Sequence, residues 1–190
     1  MTDTRQEAAD EALAALAANG DRAAFDILVR RYKEPLYRFI RRYVGQADDA
    51  YDVLQNSFVS AWTALHRYDP NRPFAPWLRR ISLNKCRDFG RRQTVRRMLL
   101  RLAAAEPTYV AAVEADSADE EARASERLRR LDRAVAELPS RYKEPLLLTA
   151  MEGLSHDEAA QILKISSKAV EMRVYRARQH LREAMGEFEG

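Results

Sequence analysis

Apolar residues recur along this 190-residue chain at steps of three and four, and nowhere does a sustained alternation of period two appear. That rhythm fits one face of an α-helix and argues against half-buried strands, so an all-α fold is expected. Phe25, Leu28, Val29, Tyr32, Leu36, Phe39, Ile40 and Tyr43 form one apolar stripe, with Arg30, Arg31, Lys33, Arg38, Arg41 and Arg42 mostly on other faces. Pro35 lies inside this pattern and lacks the N–H that an interior turn needs, which predicts a kink or a helix restart there.

Gly45 to Ala47 interrupts the rhythm, and Asp48 and Asp49 then supply the acidic groups favoured at a helix N-terminus. The helix that follows buries Ala50, Val53, Leu54, Phe58, Ala61, Trp62 and Leu65, and turns Asp49, Asp52, Gln55 and Asn56 to solvent. A turn from Tyr68 to Pro73 ends it. A third helix, from about Phe74 to Arg92, points Phe74, Trp77, Leu78 and Ile81 inward. Arg80, Asn84, Arg87 and Arg91 recur at offsets that place them within an arc of about 60°, so one face of this helix is cationic and carries an amide.

The whole-chain charge of +3 hides an uneven layout. Residues 91–101 carry five basic and no acidic groups, and residues 102–126 carry one basic and seven acidic. Clean periodicity is lost over 93–126, which reads as a linker able to form transient helix, between a first domain at 1–92 and a second at 127–190. The second domain opens with Leu128, Leu131, Val135 and Leu138, breaks at Pro139, and turns at Glu152-Gly153. The hexapeptide Arg-Tyr-Lys-Glu-Pro-Leu occurs at 31–36 and again at 141–146, but the flanking apolar registers differ. Shared local helix chemistry explains it better than duplication.

Ser155 followed by Glu158 is a capping box that starts a short helix through Ala159, Ala160, Ile162 and Leu163. A tight turn at Lys164-Ile165-Ser166 leads to a longer helix capped by Ser166 or Ser167, so the segment reads as a helix-turn-helix. On the second of these helices Ala169, Val170, Val174, Ala177 and Leu181 share an inward arc. The outer face carries Lys168, Glu171, Met172, Tyr175, Arg176, Arg178 and Gln179, a mixture suited to a DNA major groove.

Two stretches together resemble the extracytoplasmic-function class of bacterial RNA polymerase sigma factors. The first is Asp49-Ala50-Tyr51-Asp52-Val53-Leu54-Gln55-Asn56-Ser57-Phe58, with Ala61-Trp62, Phe74, Trp77-Leu78, Ile81, Asn84, Asp88 and Arg91 after it. The second is Leu138-Pro139, Gly153-Leu154-Ser155, Glu158-Ala159-Ala160, and Val170 with Arg173, Tyr175-Arg176-Ala177-Arg178 and Leu181. The resemblance implies a subunit that binds core RNA polymerase, through Asp49, Asp52, Gln55 and Asn56 on the clamp of the largest subunit. It further implies that Arg80, Asn84, Arg87 and Arg91, with the turn from Arg67 to Pro73, engage the −10 element. The −35 element would fall to Ser166, Ser167, Lys168, Glu171, Met172, Tyr175, Arg176 and Arg178, and an anti-sigma protein is a further expected partner. Against the family pattern, Tyr51 stands where an acidic residue is common, Lys164 where the turn often has Gly, Lys168-Ala169 for a frequent Gly-Thr pair, and Glu171 for a frequent basic residue.

His66, His156 and His180 are scattered, one cysteine cannot build a zinc cluster, and no Gly-rich phosphate loop appears, so neither enzymatic activity nor a metal or other cofactor is expected. Competing readings are a sigma-like decoy that binds only an anti-sigma protein, and a plain helix-turn-helix regulator, which leaves residues 22–92 without a role. The polar start of the chain and the lack of a long apolar run predict a cytoplasmic protein without a membrane span.

Overall fold

The computed structural model describes residues 7–103 and 120–186, and every element among them is helical. In chain order these are α1 (Asp10–Ala18), α2 (Arg22–Val44), α3 (Ala47–Ala64), a short 3-10 turn (Leu65–Arg67), α4 (Phe74–Ala103), α5 (Glu120–Glu137), α6 (Ser140–Ala150), α7 (His156–Leu163) and α8 (Ser167–Gly186). Helices α1 to α4 pack as one bundle, and α5 to α8 as a second, smaller one.

Local chemistry sets the helix ends. The Asp21 carboxylate accepts from the Ala24 N–H at 3.1 Å and starts α2. Gly45 ends it in the left-handed region at φ 92°, with its N–H on the Arg41 carbonyl at 2.9 Å. A side chain at Gly45 would also meet the Ala136 Cβ at 3.0 Å, so this glycine serves both the turn and the approach of α5. Helix α2 is unbroken across Pro35, so no restart occurs there.

The inward stripes fall close to expectation, with Leu28, Leu36, Phe39, Ile40, Tyr43, Ala50, Val53, Leu54, Ala61, Leu65, Phe74 and Leu78 all buried. Trp62 departs from it: the indole is 36% exposed and lies on Phe25 at the rim, ring centroids 5.0 Å apart. Sequence periodicity also passed over α1, whose Leu13, Ala14 and Ala17 are buried. Its Asp10 bonds both Arg31 and Tyr32 of α2, and its Glu11 accepts the Phe74 N–H at 3.0 Å, pinning the start of α4.

Helix extends into both ends of the segment 93–126. Helix α4 runs on to Ala103 and α5 begins at Glu120, while residues 104–119 lie outside the described part. The continuation of α4 has a physical signature: Val95, Met98, Leu99 and Leu100 are more than half exposed, so no packed core supports it and helix propensity sustains it. Leu128 is likewise 60% exposed and Leu131 about a third exposed, leaving Val135 and Leu138 as the buried anchors of α5.

Candidate nucleic-acid and partner interfaces

In the second bundle, Ser155 and Glu158 form the anticipated capping box, the Glu158 carboxylate accepting from the Ser155 N–H at 2.8 Å and the Ser155 hydroxyl from the Glu158 N–H at 3.2 Å. Those bonds hold the Glu158 carboxyl below the usual carboxylate range. The cap therefore contributes at neutral pH and is lost as pH falls through that depressed value. Ser166 caps α8, its hydroxyl accepting the Ala169 N–H at 3.2 Å.

Between the two helices Lys164 takes the left-handed conformation at φ 56°, alone among the described non-glycine residues. The turn thus keeps the geometry that a glycine favours and carries the strain of a side chain there. Lys164→Gly is expected to stabilise this domain by about 1 kcal/mol, visible as a higher thermal midpoint; an unchanged or lower midpoint would show that the strain is already relieved.

The packed side of α8 is as read from the sequence, with Val170, Val174 and Ala177 buried. Lys168, Glu171, Met172, Tyr175, Arg176 and Arg178 are exposed, as is Ser166, while Ser167 is half-buried. Two side-chain bonds organise this face. Lys168 Nζ lies 2.9 Å from the Glu171 carboxylate, which holds that carboxyl below its ordinary range, and Gln179 donates to the Tyr175 hydroxyl at 3.1 Å. The Arg176 guanidinium beside Tyr142 of α6 keeps the phenol below its usual range, tying α8 to α6.

In the first bundle, α3 presents Asp52, Gln55 and Asn56 outward, with Asp49 half-buried at the mouth of a groove against α4. Tyr51 on the same helix stacks on Tyr37 of α2, ring centroids 4.4 Å apart. The Tyr68–Pro73 turn is tied down at its start and by its own hydrogen bonds. Tyr68 is buried against Phe74 and Trp77, its hydroxyl bonds the Arg72 carbonyl, and Asp69 accepts from the Asn71 N–H at 3.0 Å.

On α4, Arg80, Asn84 and Arg91 are exposed on one side, Arg91 paired with Asp88. Arg87 belongs to the same face but is committed elsewhere, for it forms a two-pronged ion pair with Glu144 of α6 at 2.7 and 2.6 Å. Cys86 beside it is fully buried, and burial pushes its thiol well up, which makes it a core residue. The groups that sequence reading missed are those of this seam: Tyr43, Lys143, Glu144, Arg79 and Glu152. No pattern in the sequence marks them, because the Lys143-Glu144 pair repeats a hexapeptide whose first copy leaves Lys33 and Glu34 exposed.

Comparison with known proteins supplies the family. Residues 28–96 match the model of sigma-70 region 2, and residues 128–181 that of sigma-70 region 4. The chain is similar to RNA polymerase sigma factor CnrH of Cupriavidus metallidurans, 40% identical over 178 residues that cover 92% of this chain and 93% of that protein. It is also similar to an ECF RNA polymerase sigma-E factor of Salmonella typhimurium, 30% identical over 190 aligned positions covering 92% and 93%. Among solved structures, CnrH in complex with the cytosolic domain of CnrY superposes with a TM-score of 0.70 at 36% identity, covering 95% of this chain and 99% of that one.

Proposed function

Because the chain belongs to the extracytoplasmic-function class of sigma-70 factors, we propose the following division of labour for its surfaces. The protein is a promoter-directing subunit: it binds core RNA polymerase and promoter DNA, and a sigma factor of like fold is seen in complex with an anti-sigma factor. The outward face of α3, with Asp49, Asp52, Gln55 and Asn56, docks on the polymerase clamp. Arg80, Asn84, Arg87 and Arg91 of α4, beside the Tyr68–Pro73 turn, receive the melted −10 strand. The outer face of α8 reads the −35 element as duplex. The two units, near 1–92 and 127–190, act as separate DNA contacts joined by the intervening chain, and polymerase sets their spacing. The protein works in the bacterial cytoplasm, as an initiation factor without a reaction of its own.

The observation that carries this reading is the pairing of two unlike DNA surfaces on one chain. A tied-down loop beside a cationic helix face can hold unstacked bases, which costs a few kcal/mol of stacking, and an exposed helix with Arg, Lys and Tyr can enter a major groove. Glu171 draws Lys168 into a surface pair, so Arg176 and Arg178 remain the stronger phosphate or guanine contacts on α8.

Run-off transcription with purified core polymerase on a library of promoter fragments tests the reading. Discrete start sites are expected; none at any concentration would favour a decoy that binds only anti-sigma proteins. Arg176→Ala is expected to weaken −35 duplex binding and to lower the slope of log affinity against log salt by about 1. An unchanged slope, measured by titration at several salt concentrations, removes Arg176 from the phosphate contacts.

A further inference from the structure

Residues 167–178, the first turns of α8, carry four basic groups and one acidic, Glu171. A carboxylate brought against a phosphate backbone is repelled, so its place on this face needs a compensating gain. Stability does not supply one. Glu171 pairs with Lys168 three positions away, the two side chains are 51% and 73% exposed, and exposed pairs of that kind contribute little to folding. What the pair does fix is a charge state and a spacing. Lys168, with His156 of α7 also near, holds the Glu171 carboxyl below its ordinary range, so at neutral pH it is an anion that only accepts hydrogen bonds. Lys168 Nζ, 2.9 Å away, only donates. An acceptor and a donor thus stand side by side near the N-terminus of α8, the end of a recognition helix that meets base edges.

Seen from the major groove, a C·G pair has the complementary edge. Cytosine offers its N4 amino donor, and the guanine beside it offers O6 and N7 as acceptors. Cytosine N4 and guanine O6 are joined in the base pair itself, about 2.9 Å apart, which is the spacing of the Lys168–Glu171 couple. Guanine or thymine in the cytosine position would set an acceptor against the carboxylate. Adenine offers an amino group at N6, but its N7 lone pair then opposes the second carboxylate oxygen.

We propose that Glu171 and Lys168 read one C·G pair of the −35 element as a unit, Glu171 accepting from cytosine N4 and Lys168 donating to the guanine. The proposal rests on the assignment of α8 to −35 duplex. It gives that surface a rejecting element as well as an attracting one: the carboxylate penalises the other bases, while Arg176 and Arg178 supply attraction.

The test is run-off transcription by the full chain with purified core polymerase, on promoter fragments that give start sites and carry a randomised −35 region. A transcribed barcode identifies each template used. Cytosine on one strand is expected to be enriched at one position about tenfold over each other base. Glu171→Gln presents a donor beside an acceptor, the pattern that suits adenine, so enrichment at that position is expected to shift from cytosine to adenine while the other positions stay unchanged. Lys168→Met is expected to keep the cytosine and to lower output from the preferred templates, since the carboxylate then faces DNA without its cation. Thermal melts report that both variants fold. A −35 preference identical in the parent chain and in Glu171→Gln overturns the proposal and leaves α8 as the reader. A Glu171-dependent position that prefers a base other than cytosine overturns it too, as does undiminished output from Lys168→Met. Start sites with no base preference near −35, in parent and variants alike, mean that the assignment of α8 itself was wrong.

Discussion

Phe74→Ala is expected to destabilise the first bundle by about 3–5 kcal/mol, a large share of what holds a domain of this size folded. The ring is 1% exposed and lies 5.6 Å from both Tyr32 and Tyr68 and 5.5 Å from Trp77, centroid to centroid. Removing it opens a cavity where α2, the Tyr68–Pro73 turn and α4 converge. The turn proposed to support strand binding would loosen with it. A lowered thermal midpoint together with lost run-off transcription is the expected pair of results. Val59→Ala, at a position 63% exposed on α3, serves as the contrast and should change stability by less than about 0.5 kcal/mol. Equal effects at the two sites would refute this account of the core.

Asp52→Lys is expected to act the opposite way, leaving the fold intact and lowering affinity for core polymerase by roughly 30-fold or more, as charge reversal at a docking surface does. Asp52 is exposed on α3, one turn from Asn56, which donates to its backbone carbonyl at 2.8 Å. Its carboxylate is thus free to face a partner rather than to support the helix. Binding of labelled protein to purified core polymerase, read with a thermal melt of the same variant, measures this. Full affinity in a folded variant would move the polymerase contact off this face.

Much of the fold was legible in the residues because the determining forces are local. The stripes of α2, α3 and α8 are fixed by helical geometry, and the Ser155–Glu158 box and the Ser166 cap need only residues three positions apart. Misreadings occurred where a distant element decided the outcome. Trp62 shares the inward arc of α3, yet it ends up against Phe25 at the rim of the bundle. Helix α1 carried its own signs in Leu13, Ala14 and Ala17 with Asp10 and Glu11 in its first turn, but its short length made them easy to pass over. The end of α4 has no core to mark it, so burial patterns could not show that it continues to Ala103.

The candidate surfaces divide the same way. Exposure of Asp52, Gln55, Asn56, Arg80, Lys168, Tyr175 and Arg176 follows from which side of a helix is apolar. That Lys168 is paired with Glu171 was readable too, since the two are three positions apart on one helix. The commitment of Arg87 was not, because its partner lies 57 positions along the chain.

The two copies of Arg-Tyr-Lys-Glu-Pro-Leu mark the boundary between what residues dictate and what assembly dictates. By itself the hexapeptide determined a helix in both places, each with a proline inside it. Tertiary structure alone decided that Lys33 and Glu34 stay in water while Lys143 and Glu144 are buried. A charge enters an interior only where other groups meet it at hydrogen-bond distance. For Glu144 those groups are Arg87 and Tyr43, brought from α4 and α2 by the packing of one bundle on the other, and no local pattern in the chain encodes that meeting.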